Sequence, residues 1–391
     1  MMIFRVFLAT ALTATLLFAG CNPSATDSTI YLPVWIDTEG GSGADGVVIA
    51  DIDGDGDLDA VSAWEGSSRV RLHRSLDGGL WLNSTIAEGA DVSGVEDVAV
   101  ADLDGDGDLD VIAACESGAV TWIKHEETWL SFVIDVSADV GCGSWIDVEA
   151  GDLNGDGRPE IVAACKGGGW ISVLHSPEPP VSGASFERTD IDTTARQKAS
   201  CVCLVDIDSD SDLDIVSAAR EETVDNIVWH ENPGPEVSLV EPWSEHAIGR
   251  MHDAFWLDVG DIDGDGRLDI AASSWENAEF AWFRQGEDPR DDWTRFHVGQ
   301  FHSTRGAGIT ITDLEGDGKI DLVVSTYRDG RVTVFRPITS VTELWWPTTI
   351  ATPGGRLDLV PVEDLDGDGR LDIVATVDAD GGGVVWYRPW P

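Results

Sequence analysis

The chain has 391 residues, with 72 Asp and Glu against 24 Lys and Arg and a formal charge of −48. That balance lacks the clustered cations that binding along a polyanion requires, which excludes nucleic acid as a partner. A hydrophobic fraction of 42%, with 17 Trp and 43 Gly, is enough to bury a sizeable core and does not describe a disordered chain.

Residues 1–20, MMIFRVFLATALTATLLFAG, carry one early charge at Arg5 and an apolar run from Val6 to Phe18, too short to span a bilayer and ending in small residues. This predicts a signal peptide over 1–20. Phe18-Ala19-Gly20-Cys21 resembles a bacterial lipobox, with Phe18 in place of the usual Leu, and implies lipidation of Cys21 as the mature N-terminus. Each buried CH₂ of an acyl chain contributes about 0.8 kcal/mol, so two or more chains anchor stably. Plain secretion after cleavage near Ala19 or Gly20 is the alternative. Residues 21–28 read as a tether, which leaves 29–391 as the folded region.

From there a nine-residue pattern recurs: DIDGDGDLD at Asp51, DLDGDGDLD at Asp102, DLNGDGRPE at Asp152, DIDSDSDLD at Asp206, DIDGDGRLD at Asp261, DLEGDGKID at Asp313 and DLDGDGRLD at Asp364. The starts are 50 to 55 residues apart, a period that indicates a propeller, solenoid or array. Apolar alternation precedes each motif, as at Val47 and Ile49, and a β-branched run follows, as at Val111-Ile112. Each acidic loop therefore joins two strands. A third segment such as Val120-Thr121-Trp122 follows, and then a fourth in which an aromatic precedes an aliphatic by five residues, from Trp81/Ile86 to Trp345/Ile350. Four short strands per unit predict an all-β propeller of antiparallel blades. The seventh loop has no such pair after it, but Tyr31 and Ile36 have the same spacing near the N-terminus. Residues 29–37 are thus expected to supply the outer strand of the last of seven blades and so to remove an open sheet edge.

Carboxylates at positions 1, 3, 5 and 9, a turn Gly at 6 and a carbonyl at 7 gather enough oxygens for a hard cation such as Ca²⁺. The side-chain ligands would be Asp51, Asp53, Asp55 and Asp59; Asp102, Asp104, Asp106 and Asp110; Asp152, Asn154, Asp156 and Glu160; and Asp206, Asp208, Asp210 and Asp214. The later loops add Asp261, Asp263, Asp265 and Asp269; Asp313, Glu315, Asp317 and Asp321; and Asp364, Asp366, Asp368 and Asp372. Up to seven Ca²⁺ ions are expected, one per blade. Position twelve is never acidic and the flanks are strands, so these are not EF-hands.

Across residues 29–391 the repeats resemble FG-GAP/VCBS repeats, the family that includes the integrin α-subunit propeller with its DxDxDGxxD calcium loops. The resemblance implies a seven-bladed propeller with calcium loops between first and second strands, and a ligand on the opposite face. Three loops depart from the pattern, through Asn154 and Glu160, through Ser211 at the turn position, and through Glu315.

The opposite face is expected to carry Trp64, Glu65, Glu116, Lys166, Arg196, Lys198, Arg220, Arg250, His252, Trp275, His302, Arg305, Tyr327, Arg328 and Arg356. Its basic residues gather towards blades four to seven, while blades one and two contribute Asp45, Glu65, Glu88, Asp91, Glu96 and Glu116. One reading is a site where Arg forks hold an anionic glycan or an acidic protein segment above Trp or Tyr; the other is that these arginines pair with neighbouring carboxylates. The function expected is a binding or adhesion module at the bacterial envelope, on the outer membrane or cell surface if lipidated, periplasmic or secreted if not. The alternative is a uronate lyase with Arg250, Arg305 and Arg328 as clamps and His252, His302 or Tyr327 as base. His73, His175 and His230 occupy places taken elsewhere by Phe283, Phe335 and Tyr387 and are expected to pack. Of the remaining cysteines, Cys115–Cys142 and Cys165–Cys201 are the expected bridges, with Cys203 buried; five free thiols are the alternative.

Overall fold

The computed structural model describes residues 29–76, 79–136, 142–177, 186–192, 198–220, 224–234, 243–379 and 381–390; the expected signal peptide, Cys21, the tether and Arg196 lie outside this set. Seven antiparallel sheets follow one another along the chain. In the first blade the strands run from the axis outwards as Ala44–Ala50, Asp59–Trp64, Arg69–Leu76 and Leu80–Glu88. Each acidic loop lies between the first and second strands of its blade, so all seven share one face of the ring. Among the described residues no helix is long and apolar enough to cross a membrane.

The second strands show why a ring forms. Asp110–Cys115 and Asp321–Thr326 are buried at every residue. A strand with no solvent face needs a partner on both sides, and a blade between two neighbours provides that. Val70, Leu72 and Ile86 of the first blade accordingly pack with Val98, Val111 and Ala113 of the second. In the seventh blade the innermost strand is split into Arg356–Leu357 and Val362–Glu363. Pro361 has no N–H to give, and the intervening Asp358 carbonyl instead accepts from Gly308 of blade six at 2.8 Å.

The chain ends meet as the aromatic spacing predicts. Tyr31–Asp37 pairs with Gly383–Pro389, the third strand of blade seven, with Tyr31 opposite Pro389 and Trp35 opposite Val385. Blade one grips this strand from the other side. Arg71 Nε donates to the buried Asp37 Oδ2 at 2.5 Å, and Asn83 Nδ2 donates to the Ile36 carbonyl at 2.8 Å. His73 is fully buried there, as expected of a packing residue, but it also joins a polar network: Nε2 lies 2.7 Å from Ser62 Oγ and Nδ1 lies 3.0 Å from Asn83 Oδ1. Burial pushes its imidazole down to about 4, so it stays neutral.

The disulfide differs from the expected pairing. Cys142 bonds Cys165, with Cα atoms 5.8 Å apart, while Cys115, Cys201 and Cys203 are free and Cys203 is half-buried. The expected bridges joined neighbouring blades, whereas the register opposes Trp145 to Cys165 within blade three and brings the segment before Trp145 over its own second strand. Cys142→Ser is expected to lower stability by about 3 kcal/mol through the lost loop constraint, measured by chemical denaturation with and without reductant.

Candidate functional site

The acidic loops are shaped by their own carboxylates. In the second, Asp102 Oδ1 accepts from the N–H groups of Gly105 at 2.8 Å and Asp106 at 3.1 Å, and Oδ2 accepts from Gly107 at 3.0 Å. Asp110, fully buried, accepts from the N–H groups of Leu103 and His125. The fifth loop repeats this pattern around Asp261 and Asp269. These bonds engage only part of the oxygen set. Asp51 Oδ1, Asp104 Oδ1, Asp208 Oδ1 and Asp263 Oδ1 are buried and accept no hydrogen bond. Ligand oxygens of Asp51, Asp53 and Asp59 lie within 4.8 Å of one another, as do those of Asp102, Asp104 and Asp106, and of Asp206, Asp208 and Asp210. Burial pushes the ninth-position carboxyls up, Asp59 and Asp269 to about 6 and Asp110, Asp214 and Asp372 to about 7. Dense, partly unpartnered and made only of oxygen, this donor set fits a hard cation.

The three departing loops differ in kind. In the third, Asn154 Nδ2 donates to Glu160 Oε1 at 2.7 Å, so the amide presents nitrogen to the ninth position. In the fourth, Ser209 and Ser211 adopt φ of 63° and 81°, yet Asp206 still accepts from Asp210 and Ser211 at 3.0 Å. The loop shape survives at a conformational cost. Ser211→Gly is expected to stabilise the protein by roughly 1 kcal/mol, read as a rise in denaturation midpoint. The sixth loop fits an ion least well. Arg336 pairs with Glu315, Nε to Oε2 at 3.0 Å, and reaches Asp321 Oδ2 at 3.9 Å. In the second and fifth blades the amides of His125 and Gln285 bind the ninth carboxylate, but Pro337 in the matching place has none to offer.

Basic side chains also reach the other loops, which the repeat pattern did not reveal. Arg284 lies 2.6 Å from Asp263 and 3.1 Å from Asp265, and Arg290 lies 2.6 Å from Asp208. Lys124 pairs with Asp104, and Arg388 with Asp366. Because Lys and Arg are so few, these pairs take much of the positive charge that the composition makes available.

On the opposite face, several of the nominated residues form one ladder of alternating aromatic rings and guanidinium groups. Trp275 lies 4.4 Å from Phe255 and 4.7 Å from Tyr327, centroid to centroid. Arg220 and Arg305 sit over Trp275 at 5.4 and 4.9 Å, and Arg356 sits over Tyr327 at 5.4 Å. Every guanidinium of the ladder has a carboxylate partner. Arg220 grips Asp253 with Nε at 2.8 Å and a second nitrogen at 3.1 Å, Arg305 donates to Glu276 at 2.8 Å, and Arg356 lies 3.1 Å from Asp378. Tyr327 OH donates to Asp378 at 3.1 Å. Both readings of these arginines thus have a basis: they gather beside aromatics, and they are already paired.

The other nominees fall elsewhere. Trp64 is a correction: it is fully buried, its Nε1 donating to Ser62 Oγ at 2.7 Å, because it ends a second strand that is buried throughout. Glu65 lies with Glu96 and Glu116 in an acidic group, where Lys166 pairs with Glu116. Arg250, His302 and Arg328 are exposed, and their side chains make no hydrogen bond or ion pair among the described residues. His252 is exposed, its carbonyl accepting from Ser274 Oγ.

The repeat geometry coincides with a family model. The FG-GAP-like repeat matches residues 51–113, 102–163, 189–272 and 313–375; three of these segments start at an acidic loop and the third starts in the fourth strand of blade three, and all end in the second strand of a later blade. The chain belongs to the FG-GAP-like repeat family. No curated protein sequence matches it. Among solved structures, this FG-GAP propeller is similar to a chain of the BBS1N complex with ARL6DN soaked with mercury, at 12% identity and TM-score 0.56, covering 92% of this chain and 97% of that one. It is also similar to the WD40 β-propeller domain of Doa1, at 13% identity and TM-score 0.59, covering 92% and 96%. At such identities the likeness is one of fold. The FG-GAP propeller is a general interaction scaffold, and its partner has to be argued from the faces it presents.

Proposed function

We propose that this FG-GAP propeller is an exported binding module of the bacterial envelope, held there by acyl chains on Cys21 and stapled by Ca²⁺ in its acidic loops. What supports the calcium reading is the set of buried loop oxygens without partners, foremost in the first, second and fifth loops. Asp51, Asp104, Asp263 and Asp366 would hold the ions with their loop neighbours, and the ion would supply positive charge at the centre of each turn. In the sixth loop the Arg336 guanidinium already stands between Glu315 and Asp321, so an ion is expected to be weakest there.

The ligand is proposed to meet the Phe255–Trp275–Tyr327 ladder. An acidic ligand would have to displace Glu276 and Asp378 from their arginines, against the repulsion of a strongly acidic surface. A hydroxyl-rich, uncharged glycan instead finds aromatic faces bordered by both donors and acceptors, which is the arrangement that sugar rings exploit. The observation that carries this reading is the ring stack flanked by oriented Arg–carboxylate pairs.

A glycan array probed with the purified chain is the test. Binding to neutral glycans, weakened roughly 30-fold in Trp275→Ala at a temperature where circular dichroism shows the variant folded, is expected for a stacking residue contributing about 2 kcal/mol. Capture of uronic-acid polymers alone, or equal binding by Trp275→Ala, would remove the reading.

A further inference from the structure

At the axis, on the ladder's side of the ring, lies a group of acids that neither the acidic loops nor the ladder uses. The innermost strands begin there around a cavity of about 30 Å³ bordered by Asp45, Glu96, Asp97, Asp358 and Trp256, room for a single water-sized occupant. Asp45 Oδ2 and Asp358 Oδ2 are each sealed from solvent and accept no hydrogen bond. As whole residues Asp45 and Asp358 are half-buried, with these oxygens turned away from solvent. Asp97, beside them, is buried.

The walls are held in place. Thr376 Oγ1 donates to the Asp45 carbonyl at 2.6 Å, and the Gly308 N–H donates to the Asp358 carbonyl at 2.8 Å. A Cβ on Gly46 would stand 2.7 Å from Asp97 Cα, and one on Gly308 would stand 2.8 Å from Asp358 O. Two glycines therefore let four blades close around the cavity without filling it. Lys166 and Arg356 neighbour the group but are engaged by Glu116 and Asp378. Carboxylates gathered this closely away from water need a proton or a cation among them.

We propose that the axial cavity binds one divalent cation of the hard, oxygen-seeking class, Ca²⁺ above all, held by Asp45, Asp358 and Glu96 with Asp97 beside it. Such an ion joins blades seven, one and two, across the seam where the chain closes, and sets a positive charge at the centre of an otherwise acidic face. The inference is independent of the glycan reading. A proton shared between Asp45 and Asp358 is the competing arrangement.

Native mass spectrometry of the full chain in calcium separates the two. The double variant Asp45→Asn/Asp358→Asn is expected to carry one ion fewer than the unaltered chain, whereas Asp104→Asn in an acidic loop loses a different one, so that the losses add when combined. An unchanged count in the axial variant overturns the proposal. Crystals of the unaltered chain soaked with terbium give a check that no substitution can disturb. An anomalous peak between Asp45 and Asp358 is expected, and its absence overturns the proposal whether or not the acidic loops are labelled. Labelled loops with an empty axis would sink this site alone, and a labelled axis with empty loops would sink the calcium reading of the loops alone.

Discussion

Deletion of residues 29–37 is expected to abolish cooperative folding. Without Tyr31–Asp37, the strand Gly383–Pro389 loses its partner along its whole length and becomes a bare, largely apolar sheet edge. Tyr31 also leaves the cluster it shares with Leu314, Val323 and Tyr387 between blades six and seven, and Ile36 leaves the one it shares with Trp64 and Trp386 between seven and one. The ring would open on both sides of one blade. Circular dichroism and size-exclusion chromatography should show a broadened or absent melting transition and association through the exposed edge. A single change isolates the electrostatic part of the closure. Asp37→Ala leaves Arg71 buried without a counter-charge and is expected to cost about 3–5 kcal/mol, measured by denaturant unfolding. Asp37→Asn keeps an acceptor for Arg71 and should cost clearly less. Equal losses for the two would show that shape and not charge holds the seam.

The second large effect is expected at the ninth position of the loops. Asp110 is fully buried and accepts backbone N–H groups from two separate segments, Leu103 within the loop and His125 beyond the third strand. Asp110→Ala strands both donors, each at roughly 1–3 kcal/mol, before any ion is considered. In calcium the loss should be larger still, because an ion that binds only the folded chain adds its own stabilisation. The difference in unfolding free energy between Asp110→Ala and the unaltered chain, taken with calcium and then with chelator, separates the two contributions. A difference that is the same in both media would mean that Asp110 holds backbone only. Asp321 offers the contrast: with Pro337 in place of a donor and Arg336 beside it, Asp321→Ala should be nearly insensitive to calcium.

The architecture was legible because its marks repeat. Seven acidic turns at a constant interval give the blade count, and the lone Tyr31/Ile36 pair tells where the missing strand comes from; both rest on local spacing, which a strand preserves. Features that depend on register between strands were not legible in the same way. Cys142 faces Cys165 only because Trp145 pairs opposite Cys165, and Trp64 is enclosed only because a neighbouring blade covers its strand. The ladder was half visible. Arg220, Trp275, Arg305, Tyr327 and Arg356 stand at matching strand ends, which placed them on one face, but their pairing with Asp253, Glu276 and Asp378 joins residues from 22 to 33 positions apart. Of the axial acids, Asp45 and Glu96 were legible as charge on this face and Asp358 was not singled out; their gathering at one cavity appears only when seven strands converge. A useful signal was present nonetheless. Asp45-Gly46, Glu96-Asp97 and Asp358-Leu359 begin the inner strands at the same distance before their loops, where other blades have Ile146, Ser200, Phe255 and Ala307.

The central claim, that ions in the acidic turns staple the ring, is tested most directly by calorimetry of the full chain in chelator and after calcium is restored. Sites of the extracellular type, filled at millimolar calcium, contribute on the order of 1–2 kcal/mol each, so several together predict a melting temperature lower by on the order of 10 °C in chelator and recovered on re-addition. An identical transition in both solutions would contradict the account.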